Sequence, residues 1–268
     1  MATYNFTHTQ LKGTEGEGAL NSFEIPAGIG GGGFSNDSSI DLDGTNDHVN
    51  CGALNSIILT NTWSVSAWIN RDTGTTSQTI INIKENTYHG HDFQIFHNEN
   101  LTRIDVNVNG ANAFRNTSVS LNDDQWYHLL IICDKTESPN ANKCKVYLDG
   151  TLLANSGGTN MQQIADTNND VTIGAQLKGT STPYQKTAQW NGLIDEVAFW
   201  DKALSASEAS DVYNGGTPGD LSSMSNLTNW WRMGDVNGAT GVTVPDQGSE
   251  GADATLINSA AYSSNVPT

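Results

Sequence analysis

The chain has 268 residues, with 12 Lys and Arg against 29 Asp and Glu, a formal net charge of −17. That excess of carboxylates repels phosphate backbones and anionic head groups, so nucleic acid and membrane surfaces are excluded as expected partners. No stretch has the unbroken apolar length that spans a bilayer, and the opening MATYNFTHTQLKG lacks a basic start followed by an apolar segment. Three routes then stand open: a piece cut from a longer precursor, a cytoplasmic protein, or a chain that leaves the cell on a particle.

Residues 1–36 differ from the rest of the chain. Tyr4, Phe6 and Leu11 can pair as a strand, whereas GTEGEG and GIGGGGF are turn-forming. The segment reads as an edge strand with a loop, or as an arm that docks on another subunit. From Ser38 onward half-buried alternation sets in, with Ile40, Leu42 and Val49 flanking a turn at Asp43-Gly44. Trp63, Val65, Ala67 and Ile69 fall on one face of the next strand, and Ser64, Ser66 and Trp68 on the other. Short strands come next at 78–84, 93–97 and 102–108, at the spacing of a meandering sandwich.

WYHLLIIC (126–133) is apolar on both faces, which predicts a central strand. It pairs most simply with KCKVYLDGTLLA, itself a hairpin turning at Asp149-Gly150. Cys133 and Cys144 flank the loop between these strands, so a cross-strand bridge is geometrically conceivable, although an odd count of three cysteines favours free, half-buried thiols. A polar loop leads to VTIGA (171–175), and residues 177–189 read as loop again.

Trp190 to Gly216 then reads as a buried strand, a turn and a helix. Leu193, Ile194, Val197, Phe199 and Trp200 supply apolar mass. Ser205 and Glu208 have capping-box spacing, so a short helix is predicted over 206–214, ending at Gly215-Gly216. After Gly219, Trp230, Trp231, Met233, Leu256 and Ile257 are expected to complete the same core, because about fifty residues are too few for a comfortable second domain.

The run GLIDEVAFWDKALSASE, with LDGTNDHVNCG, WSVSAWIN, DDQWYHLLIICDK, KVYLDGTLLANS and VTIGA in the same order, resembles the laminin-G-like, concanavalin A-like jelly-roll family. The resemblance covers residues 38–216 and implies an all-β antiparallel jelly-roll sandwich over 37–268, with residues 1–36 as a Gly-rich strand or arm. The tail after Gly219 resembles a run that usually precedes the first strand in that family, so here it reads as a permutation, its strands completing the sandwich from the other end.

Glucanases of this architecture need Glu-x-Asp-x-x-Glu, which aims acids into one groove, with the retaining pair about 5 Å apart. That pattern is absent, and on a regular strand the adjacent Asp195-Glu196 pair points to opposite faces. The expectation is therefore a protein that is not an enzyme. In many relatives the aspartate equivalent to Asp195 ligates a structural Ca²⁺ with carbonyls near the early turn, which places Asp43 and Gly44 in the ligand set. The alternative is that Asp195 accepts hydrogen bonds from the turn without metal. The pentraxin branch resembles VTIGAQLKG…WNGLIDEVAFWD, but Lys178 argues against its calcium pair. His89, His91 and Asp92 read as a polar loop rather than a transition-metal site, and His128 as structural.

Sugar binding by such folds uses aromatic rings against sugar faces and amide or acid groups on hydroxyls. Tyr184, Trp190, Tyr88, His89 and Gln185 are the candidates, with core packing the competing role for Trp190. The chain resembles free-standing members carried on tailed bacterial viruses, which implies a non-catalytic virion surface protein, a capsid decoration or fibre component, in contact with other virion proteins or its own copies and able to bind glycans. The rival expectation is an extracellular carbohydrate-binding or adhesion module of a secreted bacterial protein. A polysaccharide-degrading enzyme is the third.

Overall fold

The structure, a computed structural model, describes residues 34–53, 61–73, 77–83, 93–98, 103–108, 111–156, 170–178, 185–235, 239 and 241–268. In chain order the first strands are β1 (Ser39–Asp43), β2 (His48–Ala53), β3 (Thr62–Arg71), β4 (Gln78–Ile83), β5 (Phe93–Asn98), β6 (Arg103–Val108) and β7 (Ala111–Asn116). Then come β8 (Trp126–Asp134), β9 (Cys144–Leu148), β10 (Thr151–Leu152), β11 (Asp170–Ile173), β12 (Gln176–Lys178), β13 (Gln185–Thr187) and β14 (Asn191–Trp200). The helix α1 (Ala206–Tyr213) is followed by β15 (Leu227–Trp231), β16 (Thr243–Val244), β17 (Ala254–Ile257) and β18 (Ala261–Ser263). Among the described residues no helix is long and apolar enough to cross a membrane.

Among the described residues, all of these strands but β12 and β13 make two antiparallel sheets. The first runs β10-β9-β8-β3-β14-β1-β18, with β15 also paired to β14; the second runs β16-β17-β2-β11-β4-β5-β6-β7. Side chains alternate along each strand, so Val65, Ile69, Leu129, Ile131, Ile194 and Phe199 of the first sheet meet Val49, Ile81, Ile95, Val106 and Ile173 of the second in one buried core. This is the jelly-roll sandwich that the sequence implies. The strands after Gly219 join both sheets: β15 pairs β14, β17 pairs β2 and β18 pairs β1. Asp246 fixes the run between them, its carboxylate accepting from the backbone N of Trp230, Gly248 and Ala252 and from Asn229 Nδ2, at 2.7–2.9 Å.

Both faces of β3 are buried, where the alternation pattern required only one. Trp63 enters the inter-sheet core, while Trp68 lies on the opposite face beneath α1, its ring stacked 6.3 Å from Tyr213 and tilted 4.9 Å from His128. The helix is held by the expected capping box: Ser205 Oγ accepts from Glu208 N, and Glu208 Oε2 accepts from Ser205 N. Its Tyr213 lies over the β9–β10 turn, where a Cβ on Gly150 (φ +70°) would stand 2.6 Å from the Tyr213 ring. Glycine there serves both the left-handed turn and the approach of the helix.

Two further sequence readings meet the structure here. Residues 177–189 are not all loop, since β12 and β13 pair as a two-stranded ribbon. Cys51, Cys133 and Cys144 are free and buried. Of the strand or arm expected in residues 1–36, residues 1–33 lie outside the described residues.

Candidate functional site

Between β14 and β3 the register runs Ile194 to Ile69 and Asp195 to Trp68, then jumps to Ala198 against Ser66. Two residues, Glu196 and Val197, thus oppose Ala67 alone, which is a β-bulge. Glu196 absorbs the extra length in the left-handed region, at φ 46°. Alternation fails at that point, and one oxygen each from Asp195, Glu196 and Asp235 come to lie within 4.8 Å of one another. The expectation that Asp195 and Glu196 point apart is overturned, because it assumed a regular strand.

Each carboxylate has fixed partners. Glu196 accepts from Arg232 Nε at 3.1 Å and from Trp230 Nε1 at 2.5 Å, both supplied at the end of β15, whose Trp230 lies opposite Ala198. Asp195 accepts from Glu196 N at 2.8 Å and from Asn36 Nδ2 at 3.1 Å. Asp235 accepts from Asp37 N at 2.9 Å. Asp195 is 0% exposed and Glu196 3%. Burial, reinforced by the neighbouring Glu196 charge, holds the Asp195 carboxyl well above its ordinary range. Burial likewise raises Glu196 to about 7, against the opposing pull of Arg232 and Trp230. Asp235 is raised too, chiefly by burial.

Asp195, Glu196 and Asp235 present hard carboxylate oxygens of the kind that calcium takes, with the Arg232 guanidinium 3.7 Å from Asp235 Oδ2. Asn36, which donates to Asp195 through Nδ2, has a buried Oδ1 without a hydrogen-bond partner. The expected partners of Asp195 are elsewhere. Asp43 stands opposite Asn191, four residues along β14 from Asp195 and so roughly 13 Å away. Its Oδ1 accepts from Thr45 N and Asn46 N, closing the turn that contains Gly44. The structure therefore does not bring Asp43 and Gly44 to Asp195; it brings Asn36, Glu196 and Asp235.

A second feature lies on the outer face of the second sheet. Thr255 pairs with Asn50, Asn50 with Thr172, Thr172 with Asn82, Asn82 with Gln94, Gln94 with Asn107, and Asn107 with Asn112. Register partners share a face, so five carboxamides and two hydroxyls form one row across seven strands. Asn82 is 0% exposed, Thr172 1% and Gln94 5%, whereas Asn107 and Asn112 are half-buried and Asn50 is exposed. Gln94 donates to Thr79 Oγ1 at 2.8 Å, Thr172 to the Ala175 carbonyl at 2.7 Å, and Asn112 Oδ1 accepts from Arg115 Nη2 at 2.9 Å. Asn82 differs: neither its Oδ1 nor its Nδ2 has a hydrogen-bond partner.

The aromatic and amide candidates from the sequence fare unevenly. Tyr88, His89, His91, Asp92 and Tyr184 lie outside the described residues. Gln185 opens β13, its backbone paired with Lys178. Trp190 is 0% exposed in the inter-sheet core, so its ring is not available to a sugar, and that candidate is withdrawn. His128 is structural as expected, kept neutral by burial that lowers its pKa to about 3. The amide row was missed, although each of its members on β2, β4, β6 and β11 is a lone polar residue between two apolar ones.

Residues 43–210 match the family model described as the concanavalin A-like lectin/glucanases superfamily. Among solved structures, a heptameric SAP-like pentraxin from Limulus polyphemus is 17% identical with a TM-score of 0.52, covering 66% of this chain and 82% of its own. A Bacteroides ovatus ATCC 8483 protein, provisionally described as carbohydrate binding, is 15% identical with a TM-score of 0.61, and 87% of this chain spans 62% of that one. The sialidase of Trypanosoma rangeli aligns over 57% of this chain and 22% of its own, at 15% identity and a TM-score of 0.41. Among curated proteins none matches the chain.

Proposed function

We infer that this chain, which belongs to the concanavalin A-like lectin/glucanase superfamily, recognises carbohydrate and does not cleave it. The observation that carries this reading is the registered amide row, whose exposed Asn50 and Thr255 at one end and half-buried Asn107 and Asn112 at the other present polar groups to solvent. A carboxamide donates through nitrogen and accepts through oxygen, matching a sugar hydroxyl, which does both. Approach is from the accessible ends of the row, at Asn50 and Thr255 on one side and Asn107 and Asn112 on the other. The description of the Bacteroides ovatus neighbour agrees with this assignment.

The acidic cluster supports the non-catalytic half of the reading. A glycosidase pair must face its scissile bond, and the Asp195 and Glu196 carboxylates are buried, with Glu196 held by Arg232 and Trp230. Asp195, Glu196, Asp235 and Asn36 would instead hold calcium. The ion would supply positive charge that joins the segment before β1 to β14 and to the residues after β15. Display on a tailed bacterial virus and service within a secreted bacterial protein are both compatible with such a module, and fractionation of producing cells and particles separates them.

Screening the chain against a broad glycan array, with calorimetry on the hits, tests the function. Saturable binding of at least one oligosaccharide, with no reducing ends released on prolonged incubation, is expected. Release of reducing ends would overturn the non-catalytic reading, and an array without a single hit would overturn recognition.

A further inference from the structure

Cys133 on β8 and Cys144 on β9 stand directly opposite one another, with Sγ atoms 3.3 Å apart. Their position in the ladder matters. Asp134 N donates to the Lys143 carbonyl at 2.8 Å, which makes the adjacent pair Asp134 and Lys143 a hydrogen-bonded one. Cys133 and Cys144 therefore occupy a non-hydrogen-bonded pair, where Cα atoms approach to about 4.5 Å and side chains are closest. That separation is inside the range of roughly 4.4–6.8 Å that a disulfide spans. The third thiol, Cys51, sits on β2 in the other sheet.

We propose that Cys133 and Cys144 are a disulfide site, closed by exchange with a low-molecular-weight disulfide before the β8–β9 hairpin is buried. The timing follows from exposure: the two residues are 0% and 1% exposed in the folded chain, so a dissolved disulfide meets them only while the hairpin is open. One cysteine thiolate attacks the small disulfide, whose S–S bond breaks and releases one small thiol. The second thiolate attacks the mixed disulfide at the protein sulfur, forming the Cys133–Cys144 bond and releasing the other small thiol. Two electrons pass to the small disulfide, and the two protons leave on the two small thiols. The bond closes a short loop whose own hydrogen bonds are local, among them Thr136 N to Asp134 Oδ1 and Asn142 N to the Pro139 carbonyl. The same hairpin forms one wall of a groove of about 400 Å³, lined by Asp134, Glu137, Asn142 and Lys145 and faced by Leu204 and Ser205.

The test refolds the full reduced chain from denaturant in excess oxidised glutathione, then alkylates in denaturant and measures intact mass and proteolytic peptides. One alkyl group, on Cys51, is expected, together with a linked peptide pair containing Cys133 and Cys144. The oxidised protein should melt at a higher temperature than the same protein kept reduced, and reduction should abolish the difference. A Cys51→Ser variant should form the same link and take up no alkyl group. Three alkyl groups on the refolded protein, or a bridge that includes Cys51, would overturn the proposal.

Discussion

Asp195 and Glu196 are neighbours in β14, yet their carboxylates converge with that of Asp235 to within 4.8 Å instead of dividing between the two faces of the sheet. The bulge responsible places Glu196 at φ 46°, a conformation that a non-glycine residue adopts only when surrounding contacts enforce it. Those contacts are Arg232 and Trp230, so the β14–β15 pairing builds the cluster as much as the bulge does.

The cluster predicts a pH dependence. Glu196 has a folded pKa of about 7 against an ordinary 4.5, and Asp195 moves in the same direction. The folded state then holds these protons more tightly than the unfolded chain. The contribution of Glu196 to stability is fully present below pH 4.5 and is lost as the pH rises through about 7, by up to about 3 kcal/mol. In a chelating buffer the melting temperature should be higher at pH 5 than at pH 8, and Glu196→Gln should flatten that profile. Calorimetric scans across the range check it.

Calcium should act in the opposite sense. Binding requires ionised carboxylates, so adding calcium to chelator-treated protein should raise the melting temperature more at pH 8 than at pH 5. Asp235→Asn should weaken the effect at least tenfold in calcium concentration. A melting temperature unmoved by millimolar calcium at pH 8 would remove calcium from the account.

Trp190→Ala should destabilise by about 3–5 kcal/mol through the cavity it leaves between the sheets. Urea unfolding measures this, and glycan affinity of the remaining folded protein should be unchanged. Affinity lost without lost stability would return Trp190 to the binding surface.

Ser205→Ala removes half of the capping box and should cost about 1 kcal/mol. Because α1 carries Tyr213 onto Trp68 and His128, fluorescence of Trp68 should report local loosening before global unfolding.

The sandwich was legible because its signals are local. Alternation along Trp63–Ile69, Asp149-Gly150 between two strands and Ser205 three residues before Glu208 each fix an element from adjacent residues. The candidate sites were not legible for the converse reason. Asp195 and Asn36 are 159 residues apart, and the bulge that redirects Glu196 carries no glycine to announce it. The amide row left a trace in Asn50 between Val49 and Cys51, Asn82 between Ile81 and Ile83, and Asn107 between Val106 and Val108. Alternation alone reads those residues as ordinary outward polar positions. Only the register of seven strands shows that they fall in line, and only side-chain packing shows that Asn82 lacks a partner.

The most direct measurement is on Asn50→Leu and Asn107→Leu, substitutions of similar size that remove carboxamides at the two accessible ends of the row. Stability and glycan affinity should separate: each variant should lose no more than about 1 kcal/mol in urea unfolding, while the affinity of at least one of them for the best array glycan falls roughly tenfold. Affinities equal to that of the unsubstituted protein, in two variants that fold, would contradict the assignment of this face to carbohydrate.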